Sequence, residues 1–443
     1  MRMTEKKIYA LTDSQSLLRW AENSSVEKRE TQQTNVLSFY FKVAENADVK
    51  ALEKAFNHVL QINDALRLRI FRKKGKLFQY FEEHTPVSLI TREIENGSEA
   101  FRKFCDAFYQ HRIPWFNSPL YYAEIARFGS GAALVMRFHH ACVDGYSISL
   151  ILRQIEKYYD LYKQAEALPE EKTYSVTKYF EREEAYNASE QHTIDRDFWK
   201  YAFNHQRNYR YPAGYRANKG ACSREQLEIE PELYAKLLAF CRERKCSTQA
   251  AIMAFCALTT YIITGKDNFC FYTLSHGRPI PALRKTVGCM MNTVPVFFDM
   301  DKSLPVGEFA EKSYMEYLDY LSHGRFAMGE MVPLTFKESF RNFLNFNHGW
   351  FLFGSLEIYN TMQNSHYEAG IISYPNIAHQ FYCALMEIGN EKAVIDLRYQ
   401  IRKFKAEKIR HILAVFHKVL ELAAEDPSLS IELLKQKVIT EMK

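Results

Sequence analysis

Glycine and proline are scarce, at 17 and 13 of 443 residues, which excludes a fibrous or low-complexity chain. Charge of one sign is scarce as well. Lysine plus arginine number 58 and aspartate plus glutamate 53, a net +5. With no block of five like charges and no nucleic-acid motif, the footprint of a nucleic-acid binder is missing. Long apolar runs are lacking: Ala250–Ile263, the longest, is broken by Thr259 and Thr260 and is too short for a membrane span. The opening MRMTEKKIYALTDSQ has no apolar signal-peptide core. The nine cysteines are odd in number and scattered, with no CxxC pair. The nearest two, Cys241 and Cys246, have no histidine cluster beside them. This argues against a zinc site or a disulfide framework, and a reducing cytoplasm is the expected location.

A chain this long can bury a large core without disulfide or metal staples, as two or three domains or one two-lobed body. Aromatic residues are plentiful, 14% with 32 Phe and 28 Tyr, which suits sheet-based cores and aromatic-lined clefts. Helical and strand patterns alternate, which points to layered α/β or α+β architecture. Val49–Ile62 carries Leu52, Ala55, Phe56, Val59 and Leu60 at helical spacing. Leu66–Phe71 and Lys76–Phe81 flank Gly75 and read as a hairpin. Ala132–Phe138, AALVMRF, reads as a central strand buried on both faces. Ser147 can cap a helix to about Lys163, with Leu150, Ile151, Ile155, Tyr158 and Tyr162 inward. The polar stretch Gln164–Ser175 marks the expected lobe boundary, giving lobes 1–172 and 173–443. Beyond it, helices are expected around Thr177–Tyr186, Asp195–Phe203, Gln249–Thr264 (capped by Ser247 or Thr248, stopped by Gly265) and Ala406–Ala424. Strands are expected near Phe269–Leu274, Phe351–Tyr359, Tyr382–Ile388 and Ala393–Tyr399.

The chemistry concentrates in His139-His140-Ala141-Cys142-Val143-Asp144-Gly145, where the buried strand ends and the capped helix begins. Strand ends hold reactive groups rigidly yet leave them facing a cleft. An imidazole there can move a proton near neutral pH. An aspartate four residues later can turn inward and pair with an arginine. Gly145 supplies a turn and lets substrate approach the backbone.

HHACVDG resembles the HHxxxDG signature of the condensation-domain and chloramphenicol-acetyltransferase superfamily. Other segments, in order, select the condensation domains of nonribosomal peptide synthetases. LTDSQSLLRW (Leu11–Trp20) resembles their opening motif, and NDALRLRI (Asn63–Ile70) resembles RHExLRTxF, with Arg67 at its arginine. TYSVTKYFEREEAY and DFWKYAF resemble the entry to the second lobe. STQAAIMAFCALTTYIITGKDNFCFYTLSHGRP resembles the long helix, strand and SxGR-like turn, and VGCMMNTVPV (Val287–Val296) resembles VGxFxNTLPLR. The ending resembles a closing strand pair, last helix and exit strand, so the likeness runs from about Lys7 to Leu434. Asn63 and Ile62 stand where the family usually has His and Arg, and Phe297 where an Arg is common.

The resemblance implies two chloramphenicol-acetyltransferase-like α+β lobes in a V-shaped pseudo-dimer, with an active-site tunnel between them. It implies that His140 faces the tunnel, either moving a proton as an amine attacks a thioester or positioning that amine. His139 is expected to pack inward. Asp144 is expected to be structural, ion-paired with an arginine such as Arg67. Gly145 could offer its N–H to oxyanion charge or serve turn geometry alone. Asn292, with Thr293, is expected to fix the fold rather than touch substrate. Cys142 invites a nucleophile reading, but a free cysteine is usually a small buried hydrophobe. Trp350 and the aromatics of Phe343–Tyr359 are expected in core packing rather than a tunnel lining.

The function implied is a free-standing, amide-forming condensation enzyme of nonribosomal peptide or related natural-product biosynthesis. It would take an acyl or aminoacyl thioester from a carrier protein in trans. The chain itself would bind no cofactor or metal, the substrate riding on phosphopantetheine or CoA. The acceptor amine would be free or carrier-bound, and the protein a monomer without nucleic-acid or membrane partners. Two other readings stand beside this one. The first is O- or N-acyl transfer from acyl-CoA or an acyl carrier to a small alcohol or amine. The second is a non-catalytic carrier-binding scaffold, which the altered companion motifs keep open.

Overall fold

The computed structural model describes residues 6–23, 35–169, 175–205, 220–334, 351–353, 367–372, 376–377, 381–388, 391–401 and 403–442. By contacts the chain divides into two compact mixed α/β units. One comprises Met1–Ala188, His276–Met291 and Glu357–Ser373, the other Ser189–Ser275, Asn292–Leu356 and Tyr374–Lys443. The lobe boundary expected between 172 and 173 lies outside the described residues.

The first unit is built on a five-stranded sheet in the order Tyr367–Ile371, Val36–Val43, Gly131–His139, Tyr121–Phe128, Ile90–Glu93. All neighbours are antiparallel except the last pair. Gly131–His139 is buried along its whole length, Arg137 included, as its largely apolar sequence predicts for a strand covered on both faces. The expected hairpin pairs Leu68–Lys73 with Lys76–Phe81. Lys74 and Gly75 turn it with φ of 48° and 79°, the left-handed pair that matches the twist of a two-residue hairpin. Val49–Ile62 buries the expected face, capped by Asp48, whose carboxylate accepts from the amides of Lys50 and Ala51. It packs on Gly145–Lys163, whose buried face adds Ile148, Leu152 and Tyr159 and leaves Leu150 and Tyr162 half-buried.

In the second unit a seven-stranded sheet runs in the order Asn292–Asp299, Asn268–Ser275, Phe351–Phe353, Phe381–Ile388, Lys392–Gln400, Gly220–Ile229, Asn376–Ile377. Its main core is filled from the helices Pro231–Glu243, Thr248–Thr264, Val306–Ser322, Ala406–Glu425 and Ile431–Glu441. Thr248–Thr264 is capped by Ser247 and ended by Gly265 at φ 67°. The expected strand Phe351–Tyr359 is described only as Phe351–Phe353; the remainder, Trp350 and most of the Phe343–Tyr359 aromatics lie outside the described residues. The exit segment, expected as a strand, is the helix Ile431–Glu441. Ser430 caps it, and Ile431, Leu434 and Val438 fall on its buried face at helical spacing. No single helix among the described residues is long and apolar enough to cross a membrane. Pro231–Glu243 and Thr248–Thr264 pass that test together, but they meet at 104°, and Thr248–Thr264 is buried in the core of its unit.

Asn292 opens the strand Asn292–Asp299 and is fully engaged. Its Nδ2 donates to the carbonyls of Gly324 (2.9 Å) and Phe326 (2.7 Å). Its Oδ1 accepts from the amides of Thr293 (3.0 Å) and Met328 (3.2 Å). Loss of this amide strands two carbonyls, so Asn292→Ala is expected to cost about 1–3 kcal/mol in urea unfolding. Asn292→Asp, which sets a carboxylate oxygen against those carbonyls, is expected to be at least as damaging. An Asn292→Asp protein as stable as wild type would overturn this account.

Candidate active site

The strand Gly131–His139 ends on the first histidine of the motif, and the next helix starts at Gly145. His139 is completely buried. Its Nδ1 accepts the Ala141 amide at 3.0 Å, and its ring meets Trp115 edge-on with centroids 4.4 Å apart. Its side chain packs inward.

His140 is half-buried. Its backbone N–H donates to the Asn35 carbonyl (2.7 Å), and its ring Nδ1 lies 2.7 Å from the Val143 carbonyl. A carbonyl can only accept, so the proton sits on Nδ1. Nε2 therefore carries the lone pair of the neutral ring. Burial holds the imidazole below its ordinary 6.5, against an opposing pull from Asp144. A neutral imidazole of fixed tautomer, with Nε2 unprotonated, is the form a proton acceptor needs.

Asp144 caps the helix, with extended backbone (φ −123°, ψ −179°) and its Oδ1 accepting from the Ser147 amide at 2.9 Å. The cap expected of Ser147 therefore belongs to Asp144, because the helix begins three residues earlier than expected. Asp144 also pairs with an arginine, but the partner is Arg278, not Arg67. The Arg278 fork reaches Oδ2 through Nη1 at 2.8 Å and Oδ1 through Nη2 at 3.0 Å, with both side chains buried. Oδ2 further accepts the Met290 amide at 3.0 Å. The Ser147 hydroxyl lies 2.8 Å from Asp144 Oδ1 and 2.8 Å from the Gly288 carbonyl, and accepts from the Gly288 amide (3.0 Å) and Arg278 Nη2 (3.0 Å). Burial alone would raise the Asp144 carboxyl. Arg278 and the backbone amides outweigh it and hold the group below its ordinary value.

Arg67 is occupied nearby in sequence. It donates to the carbonyls of Leu60 (2.7 Å), Gln61 (2.5 Å) and Glu82 (3.0 Å). It therefore ties a helix end to a strand end, and no carboxylate is involved in those bonds. Arg278 could have been found in the SHGRP segment, where a glycine precedes it. Gly277 has φ +66°, and a Cβ there would fall 1.8 Å from the Met290 carbonyl. The left-handed backbone at the site belongs to this glycine. Gly145 is the first helical residue, and its amide is among those that a helix leaves unpaired at its N-terminus.

Gln15 carries a role that sequence reasoning missed. Thr12 and Gln15 form a capping box: the Thr12 amide donates to Gln15 Oε1 (2.9 Å) and the Gln15 amide to Thr12 Oγ1 (3.3 Å). Gln15 Nε2 then donates to the Ala141 carbonyl (2.8 Å) and to Gln79 Oε1 (2.9 Å). The pattern TDSQ signals the cap, but nothing in it signals the reach to the histidine loop. Cys142 is fully buried with Sγ 3.1 Å from the His139 carbonyl, and burial pushes its thiol far up. His276, beside Arg278, is held below the ordinary imidazole range by burial and by that arginine.

A family model described as Condensation domain matches residues 5–437. One of the plipastatin synthase proteins of Bacillus subtilis (strain 168) is 26% identical over 397 residues, covering 86% of this chain and 15% of that protein. Bacitracin synthase 3 of Bacillus licheniformis is 20% identical over 442 residues, covering 95% of this chain and 6% of that protein. The chain thus spans a small part of the length of these relatives. The first condensation domain of the calcium-dependent antibiotic synthetase, solved with a substrate analogue, superposes with a TM-score of 0.81 at 16% identity, covering 96% of this chain and 98% of that one. The starter condensation domain of rhizomide synthetase, solved as a mutant with C8-CoA, gives 0.78 at 16% identity, covering 96% of this chain and 97% of that one. The fold and the family match agree, and the chain belongs to the condensation-domain family.

Proposed function

We propose that this chain forms an amide bond by passing an acyl or aminoacyl group from a carrier-protein thioester to an acceptor amine. The observation that carries the reading is the Nδ1 hydrogen bond of His140 to Val143, which leaves Nε2 as a lone-pair nitrogen on a half-buried ring. The amine nitrogen attacks the thioester carbonyl carbon, and the new C–N bond leaves negative charge on the oxygen. The amide at the start of the helix, at Gly145, offers a donor to that oxygen. The amine gives its proton to His140 Nε2. The C–S bond breaks, and the proton passes on to the departing phosphopantetheine sulfur. The acyl group arrives tethered to its carrier or to CoA, so the chain needs no cofactor of its own.

A second reading, acyl transfer from acyl-CoA to a small alcohol or amine, is favoured by one observation: a structural neighbour was solved with C8-CoA. A loaded carrier protein and an acyl-CoA, each offered with amine and with alcohol acceptors, separate the two readings.

His140→Ala is expected to lower kcat by roughly 10²–10⁴ on carrier-bound donor and amine. Product formation equal to wild type would remove His140 from the chemistry. The base must be neutral, and burial holds its pKa below 6.5. The pH–rate profile is therefore expected to stay level down through neutrality and fall only at a midpoint below 6.5, a limb that His140→Ala abolishes. A midpoint above 6.5 would contradict the burial argument.

Asp144 acts through the fold in this reading. Asp144→Ala leaves the Arg278 guanidinium buried without its carboxylate, and Arg278→Ala leaves the carboxylate. Each is expected to cost about 3–5 kcal/mol and to yield poorly soluble protein. The double variant is expected to cost less than the sum of the two. Because the folded carboxyl titrates below its ordinary value, its stabilisation is present above that value and fades as pH drops through the lower, folded one. A soluble, correctly folded but merely slow Asp144→Ala protein would overturn the structural role.

A further inference from the structure

The corner between the helices Pro231–Glu243 and Thr248–Thr264 brings together the two cysteines closest in sequence. The first helix ends in a Schellman cap. Lys245 is left-handed at φ 49°. Its amide donates to the Arg242 carbonyl (3.3 Å), and the Cys246 amide donates to the Cys241 carbonyl (3.0 Å). In such a cap the residue just beyond the left-handed one lies against the residue five positions earlier, and the contact is usually hydrophobic. Here both positions are cysteine, and each thiol shifts the acidity of the other. Cys241 is 6% exposed, while Cys246 is half-buried and reachable from solvent. The backbone hydrogen bond from Cys246 to Cys241 already links the two residues that a disulfide would join.

We infer that Cys241 and Cys246 are a reversible oxidation site, a dithiol that a low-molecular-weight disulfide converts to an intramolecular disulfide across the cap. Cys246 attacks first, since it is the thiol that solvent reaches. The two thiols also differ in acidity in the direction this order needs. The Cys241 thiol lowers the Cys246 thiol below its ordinary value, with help from Arg244, while Cys246 and burial push Cys241 up. The Cys246 thiolate displaces one thiolate from the small disulfide and forms a mixed disulfide. Cys241 loses its proton and attacks the Cys246 sulfur, and the second small thiolate leaves. Two protein thiols are oxidised by two electrons in all. One disulfide is reduced to two thiols, which take up the two protons. A second neighbouring thiol pair, Cys256 and Cys383, serves as an internal control, since both side chains are completely buried.

The test is incubation of the folded protein with glutathione disulfide, followed by acid quench, alkylation of the unfolded chain and peptide mapping. The expected result is loss of two of the nine alkylatable thiols, mapped to a Cys241–Cys246 bridge and restored by dithiothreitol, with Cys256 and Cys383 untouched. Cys241→Ser is expected to stop at a stable glutathione adduct on Cys246. Cys246→Ser is expected to leave Cys241 unmodified over the same time. Wild-type protein that keeps both thiols, or that bridges Cys256 to Cys383 as readily, would overturn the inference. So would a Cys241→Ser protein that takes up no glutathione at Cys246.

Discussion

The ion pair between Asp144 and Arg278 is the constraint from which the geometry of the histidine loop follows. Two opposite charges sealed from water are costly unless every lone pair and proton finds a partner. Here the carboxylate has the Arg278 fork, the Ser147 amide and hydroxyl, and the Met290 amide. The same aspartate caps the helix that follows the loop. One side chain therefore starts a helix, neutralises a buried guanidinium and clasps the segment 276–291, which arrives from far along the chain. The loop from His140 to Val143 is short and is held at both ends. Strand pairing fixes the His139 end, and the capped, ion-paired Asp144 fixes the other. Gln15 holds its middle through the Ala141 carbonyl.

The pair also shapes the electrostatics of His140. A bare carboxylate close to an imidazole raises its pKa and favours the charged ring. Asp144 pulls in that direction, yet burial prevails and the ring is held below its ordinary value. The Val143 carbonyl selects the tautomer, so the ring presents an unprotonated Nε2.

What could be read from the sequence was what short-range rules govern. Helix faces, the Lys74-Gly75 hairpin and the strand-to-helix junction at HHACVDG depend on residues within one or two turns of each other, and those expectations agree with the structure. The partner of Asp144 was not readable in that way. Arg67 and Arg278 each stand in a family-like segment, and the choice between them is made across 134 positions of chain by packing. Gln15 is a mixed case, since TDSQ announces a capping box but not that the glutamine amide has a second duty. The exit strand expected over LSIELL came from the family resemblance, and a short apolar run fits either period. The Ser430 cap and buried positions continuing to Val438 decide for a helix.

The placement of Cys142 bears on the type of chemistry. A thiol two residues from a histidine has the composition of a nucleophile and base, and a covalent acyl-enzyme would then be the natural intermediate. Such a thiol has to be ionisable and exposed to the acyl group. Cys142 is neither: it has no solvent exposure, its sulfur lies against the His139 carbonyl, and burial disfavours its thiolate. The motif is left with one half-buried neutral imidazole and a helix N-terminus beside it. Those groups can accept a proton and steady an oxyanion. With the thiol set aside, the proposed direct transfer between two bound partners needs no acyl stage on sulfur.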